Sequence, residues 1–310
     1  MCGNFFLKPY KVETPKKTCG WRVKGRADGA DNVCIKVQRA EPQHHSAKAM
    51  AFITLLSVLA LILNTGGLLG AEVRSSIIGG KDAQRNSWPG MVHLNLTSNG
   101  IDKWRCGATI VSSGWLMTSA SCVKRHPAPD WRRSFACINS LNLQKDQARF
   151  MEITTAVIHS HEDRHDIALL KLKKKVDFKK MAGKVNLPSA DNAFGPSSEC
   201  WITGWGNIGI DDALPGPETL QELKISIIPN SVCKASYPEL TSDMLCAGDM
   251  AGGNDACKGD YGGPLMCRIN GGFVQVGIMS YGSCGLPGRP GVYTKVSNHL
   301  RFINDYIHRE

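Results

Sequence analysis

From Ile77 onward, apolar residues come in short runs broken by turn residues, a pattern that leaves little room for anything but strands. The runs are Met91-Val-His-Leu-Asn-Leu96, Ala108-Thr-Ile-Val111, Ile167-Ala-Leu-Leu170, Leu223-Lys-Ile-Ser-Ile227 and Phe273-Val-Gln-Val-Gly-Ile278. Their length and spacing predict an all-β barrel or sandwich. Only the end of the chain is helical in pattern, with Leu300, Ile303, Tyr306 and Ile307 recurring at three- and four-residue intervals. No repeat or low-complexity linker interrupts 77–310, and 42% apolar against 21% charged residues is an ordinary globular balance.

Upstream the pattern changes. No charged residue occurs from Ala49 to Ala71, and the apolar heart from Met50 to Leu63 has the length of a signal-peptide core, followed by small residues at Gly66, Gly67, Gly70 and Ala71. Residues 50–71 are therefore expected to be a secretory signal starting at Met50, with 72–76 a short propeptide and 1–49 a basic extension, disordered or not translated. The competing expectation is an uncleaved signal anchor, with the basic segment held on the cytoplasmic side and the protein membrane-attached. Either way 77–310 faces an oxidising compartment.

The formal charge of +10 is uneven. Residues 1–49 hold 10 Lys or Arg against 4 Asp or Glu, a net of +6, which leaves +4 for 77–310. That is far too little to make nucleic acid the expected partner. Nine of the twelve cysteines lie after the hydrophobic segment, where disulfides persist. Nine is odd, so one is expected to be left over, and Cys2, Cys19 and Cys34 are expected never to meet the others.

The most specific motif is Asp255-Ala-Cys-Lys-Gly-Asp-Tyr-Gly-Gly-Pro-Leu265. It resembles the nucleophile loop of the chymotrypsin/trypsin family, including its tryptase- and granzyme-like members, with a tyrosine where serine belongs. Ile77-Ile-Gly-Gly80 resembles that family's mature N-terminus. Gly114-Trp-Leu-Met-Thr-Ser-Ala-Ser-Cys122 resembles the segment ending in the base histidine and a cysteine, but the residue before Cys122 is Ser121. His165-Asp166-Ile-Ala-Leu-Leu170 is similar to the aspartate segment and Trp201-Ile-Thr-Gly-Trp-Gly206 to the start of the second barrel. Ser280-Tyr-Gly282 and Pro290-Gly-Val-Tyr293 resemble the pocket walls. The resemblance covers all of 77–310 and implies two packed six-stranded antiparallel β-barrels with a C-terminal helix.

Two of the three catalytic positions are altered. A neutral hydroxyl is a poor nucleophile unless an imidazole takes its proton during attack, and Ser121 cannot act as that base. Tyr261 lacks the base its phenol would need, and its ring projects into the space of the scissile carbonyl. Loss of triad members costs on the order of 10⁶ in turnover, and such losses are not additive. Asp166, the retained triad position, is expected to be a buried structural acceptor.

The same resemblance implies that Asp255 is the floor of a pocket selecting Arg or Lys, with Ser280, Gly282 and Gly291 around it. Gly259 and Asp260 belong to the oxyanion and activation loop, ordered when the amine of Ile77 reaches Asp260. Here Ser76 precedes Ile77, and cutting after Arg74 would leave the new amine displaced by about 7 Å of extended chain. Removal of Ser75-Ser76 would correct this. The implied bridges are Cys106 with Cys122, Cys200 with Cys267, Cys233 with Cys246 and Cys257 with Cys284, which makes Cys137 the leftover, expected as a buried free thiol.

Other features carry less. His159, His161 and His165 lie near Glu162, Asp163 and Asp166, and a His-x-His pair on a strand would share one face. The spacing is loose for a metal site and reads as a solvated loop leading into a strand. The stretch 138–149 lacks the paired glutamates of the family's calcium loop, so neither metal nor cofactor is expected. Lys171, Lys173, Lys174, Lys175, Lys179, Lys180 and Lys184 form the densest basic run, suited to heparin-like polyanions or merely to a solvated strand edge. Asn95-Leu96-Thr97 is a glycosylation acceptor. The sequence thus predicts a secreted protease homologue that binds proteins or peptides with basic side chains instead of cutting them. The alternatives are a serine-type endopeptidase cleaving after Arg or Lys and a polyanion-binding effector.

Overall fold

The computed structural model describes residues 77–124, 128–179, 183–207, 213, 214 and 216–308. The expectations for the extension 1–49, the signal or anchor 50–71 and the propeptide 72–76 lie outside the described residues.

Thirteen strands form among the described residues. Strands β2 (Met91–Ser98), β3 (Asp102–Ile110), β4 (Trp115–Thr118), β5 (Phe135–Ile138), β6 (Arg149–Ile158) and β7 (Ala168–Leu172) close a barrel in the order β2-β3-β4-β7-β6-β5. A second closed barrel is built from β8 (Cys200–Gly204), β9 (Gln221–Ile228), β10 (Met244–Gly248), β11 (Pro264–Ile269), β12 (Gly272–Tyr281) and β13 (Gly291–Lys295). It runs β9-β10-β13-β12-β11-β8 and closes through β8 pairing β9, all antiparallel. The two-residue strand β1 (Lys81–Asp82) is an addition the sequence did not predict and pairs with β9 at Glu222 and Gln221.

Period-two alternation explains the strands. Along β9, Leu223, Ile225 and Ile227 are buried while Lys224 and Ser226 are exposed. The first barrel is filled by Val92, Leu94, Leu96, Ile110, Leu116 and Leu170, and the second by Ile202, Leu223, Ile225, Leu265, Val276 and Tyr293. A third apolar cluster joins the two barrels. Met117 and Leu169 of the first meet Met266 and Ile278 of the second and Ile303 of the C-terminal helix (Leu300–Ile307). Full closure leaves each barrel without a free strand edge within itself.

Four disulfides pin this frame: Cys106–Cys122, Cys200–Cys267, Cys233–Cys246 and Cys257–Cys284. These are the pairs the family resemblance implies. One expectation is corrected. Cys137, fully buried on β5, is not a leftover thiol but is disulfide-bonded. The expectation of a buried free thiol there is overturned, and the expectation for Cys2, Cys19 and Cys34 lies outside the described residues.

Candidate functional site

The altered residues meet in the cleft between the barrels. Ser121 lies on the single-turn helix α1 (Ala120–Val123), tied to β3 by the Cys106–Cys122 bridge. Asp166 follows a 3-10 turn at Asp163–His165 and precedes β7. Tyr261 sits in the turn before β11, and its carbonyl accepts from the Gly107 N–H of β3 at 2.8 Å, so the turn is fastened to the opposite barrel.

Asp166 is 6% exposed and fully engaged. The Ser121 N–H donates to its Oδ1 at 2.6 Å and the Ser121 hydroxyl to its Oδ2 at 3.0 Å. The Ser280 hydroxyl donates to Oδ2 at 2.6 Å, and Thr294 Oγ1 donates to the Asp166 backbone carbonyl at 3.0 Å. Burial raises the carboxyl above its ordinary range, and the hydrogen bonds from Ser280 and Ser121 pull against it. Ser121 thus fills part of the role of an absent imidazole as a donor to the carboxylate. It has no basic nitrogen with which to receive a proton. Among the described residues no histidine hydrogen-bonds Asp166, Ser121 or Tyr261.

Tyr261 packs against the cores of both barrels. Burial first, then the nearby charges of Asp255 and Asp260, push its phenol above the ordinary tyrosine value, so it stays protonated at neutral pH. A protonated phenol without a neighbouring base is not a nucleophile.

Asp255 is 1% exposed, its Oδ1 accepting from the Ala256 N–H at 2.8 Å and its Oδ2 from the Gly285 N–H at 3.0 Å. A side chain at Gly291 would place its Cβ 2.9 Å from Asp255 Oδ1, and one at Gly282 would meet Met279 at 2.9 Å and Asp255 Oδ2 at 3.5 Å. Only glycine fits at Gly291 without crowding this carboxylate. Burial pushes Asp255 up to about 6, the state of a buried acid that lacks a cation. Ile78 forms a reciprocal antiparallel bridge with Asp255, its N–H donating at 3.0 Å and its carbonyl accepting at 3.2 Å, while Ile77 is fully buried in the second barrel's core.

Asp260 is also buried, accepting from Gly206 N–H at 2.8 Å and Cys257 N–H at 3.1 Å. Burial, helped by the Asp255 charge, pushes it up to about 7. Gly259 takes φ +99°, and a Cβ there would lie 2.8 Å from Gly206 Cα, so the loop can turn here only with glycine.

The structure therefore gathers Ser121, Asp166, Tyr261 and Ser280 at one end of the cleft, and Asp255, Gly282 and Gly291 under the second barrel. Ser280, expected only at the pocket wall, also holds Asp166. Thr294 was missed by sequence reasoning, since nothing local marks a threonine 128 residues from its partner. Two closed six-stranded antiparallel barrels, with Asp166 buried and held by Ser121 and Ser280 and with Asp255 buried beside Gly282 and Gly291, define a two-barrel protease-type domain.

The comparisons with known proteins agree. The family model described as Trypsin matches residues 77–303. Human testisin is 37% identical over 278 residues, covering 79% of this chain and 87% of its own length. Mouse tryptase is 34% identical over 263 residues, covering 77% and 92%. Bovine coagulation factor XI is 35% identical over 239 residues, covering 75% of this chain but only 38% of its own. The chain belongs to the trypsin family.

Proposed function

We propose that this domain is an exported trypsin-family protein that acts by binding and does not cleave peptide bonds. The observation that carries the reading is Ser121 on Asp166: the carboxylate that should orient an imidazole is satisfied instead by a serine N–H and hydroxyl. With Tyr261 protonated in the nucleophile's place, no proton acceptor and no activated hydroxyl come together. Asp255, with Gly282 and Gly291 packed against it, stands where the family resemblance puts the floor and walls of a pocket for Arg or Lys. A ligand with a basic side chain is therefore the partner class the cleft supports.

The test is hydrolysis of a fluorogenic Arg substrate by the purified secreted product, together with sequencing of its N-terminus. No turnover from a chain beginning at Ile77 is expected. Turnover by that chain, abolished by Tyr261→Ala, overturns the reading in favour of an endopeptidase. A second reading, binding of heparin-like polyanions, is favoured by the exposure of Lys171, Lys173, Lys174, Lys175, Lys179 and Lys184, while Lys180 lies outside the described residues.

A further inference from the structure

His159, His165 and His299 come together behind the cleft, although His299 is 134 residues from His165 in sequence. Each offers a ring nitrogen, and the three nitrogens lie within 4.8 Å of one another. His165 Nδ1 and His299 Nε2 are 3.2 Å apart. Around a tetrahedral zinc with bonds of about 2.05 Å, ligand nitrogens stand about 3.4 Å apart, so this pair is already close to ligand spacing.

The surroundings suit the same use. Nδ1 of the buried His299 donates to the Lys295 carbonyl at 2.9 Å, which fixes the tautomer and turns the Nε2 lone pair toward the other rings. Carbonyl-backed histidines of this kind are the usual second shell of a metal ligand. Asp243 Oδ2 lies 3.9 Å from His165 Nδ1, and Asn298 Nδ2 holds the other oxygen at 2.9 Å. A negative group thus stands beside the cluster to compensate a cation. His159 remains exposed, which leaves an entry path.

We infer that His159, His165 and His299 form a binding site for a divalent transition-metal ion, zinc being the ion that three imidazoles and a nearby carboxylate suit best. The ion would join the end of β6 and the turn before Asp166 to the start of the C-terminal helix. It would clamp a first-barrel loop to the segment that follows the second barrel, whether or not the domain cuts peptides.

The experiment is titration of the purified, chelator-treated protein with Zn²⁺ alone, read by calorimetry and thermal melting, and with Co²⁺, read by visible absorption. Expected are one Zn²⁺ per chain, a melting temperature raised by about 5 °C or more at a hundredfold excess over Kd, and the intense bands of tetrahedral Co²⁺. His159→Ala should weaken binding at least tenfold, with the metal-free melting temperature reporting separately any loss of its ring contacts with His165, His299 and Phe302, and His161→Ala should leave binding unchanged. Absence of stoichiometric Zn²⁺ binding to the unaltered protein overturns the inference. So does binding that His159→Ala leaves intact or that His161→Ala removes.

Discussion

Ser121 grips both carboxylate oxygens of Asp166, its N–H on Oδ1 at 2.6 Å and its hydroxyl on Oδ2 at 3.0 Å. The acid that should orient a base is instead the acceptor of a closed hydrogen-bond set completed by Ser280. This arrangement keeps a buried carboxylate satisfied, and on the binding reading proposed above it accounts for how the fold tolerates a serine in place of an imidazole. An unpaired buried carboxylate is costly, and three short hydrogen bonds offset that cost.

It follows that neither single reversion should restore cleavage. Ser121→His alone leaves no hydroxyl to activate, and Tyr261→Ser alone leaves no base. The double variant Ser121→His/Tyr261→Ser, in a chain beginning at Ile77, should hydrolyse Arg substrates at a rate above either single variant by several orders of magnitude, since triad members act as a unit. Measured kcat/KM for the four proteins checks this. Equal rates in the double and single variants would show that the defect lies elsewhere.

Much of this was legible in the sequence. The short alternating runs predicted an all-β barrel or sandwich, because a strand's pleat turns alternate residues inward, and the two six-stranded barrels came from the family resemblance. The four bridges came from the family resemblance, which Asp255 and Asp260 help to carry because they lie in one consecutive motif. What was not legible depends on contacts across the chain. His159, His161 and His165 read as a loop leading into a strand, and they do lie between β6 and β7, but no local pattern announces that the distant His299 joins His159 and His165. Strand β1 is two charged residues, with no apolar signal to announce it. Cys137 could not be paired from parity alone.

Asp260 makes a prediction about pH. Its folded pKa, about 7, lies above the ordinary aspartate value, so between about pH 4 and pH 7 the folded state binds more protons than the unfolded one. Stability is therefore greatest below that window and falls as the pH rises through it. From 3.8 to about 7 is about three units, or at most about 4 kcal/mol at 1.36 kcal/mol each. The buried His93, pushed down to about 3, contributes in the opposite direction up to its ordinary value, so the test is the difference between two proteins. In a chain retaining residues before Ile77, the urea midpoint of the unaltered protein relative to that of Asp260→Asn should be higher at pH 5 than at pH 8. A difference that does not fall from pH 5 to pH 8 contradicts the assignment.

The lysine run gives a second, independent test of binding. Lys174, Lys179 and Lys184 are exposed beside or beyond β7, whereas Lys173 is paired with Glu152 and Lys171 lies over the Trp115 ring at 5.2 Å. Attraction to a polyanion through exposed lysines is screened by salt. The protein should elute from heparin-Sepharose at clearly higher salt than a neutral control, and Lys174→Glu/Lys179→Glu/Lys184→Glu should abolish the difference. Elution of the unaltered protein with the control removes the polyanion reading and leaves the cleft as the binding site.

The last prediction concerns what stands over the acidic pocket. Tyr261 is close enough to Asp255 for the carboxylate's charge to disfavour its phenolate, and Asp255 is 1% exposed. A ring in that position should obstruct a basic ligand while leaving the floor chemically able to receive one. Benzamidine should therefore bind the unaltered protein weakly, and Tyr261→Ala should tighten binding at least tenfold. Asp255→Asn in the Tyr261→Ala background should cancel the gain, because a cation needs the ionised carboxylate. Since Asp255 is pushed up to about 6, binding to Tyr261→Ala should strengthen as the pH rises from 5 to 7, where the free carboxyl loses its proton. Titration calorimetry at both pH values measures it. Binding by Tyr261→Ala no tighter than by the unaltered protein would mean that the ring does not cover the pocket, and that the path to Asp255 is closed by the Met279 side chain beside Gly282.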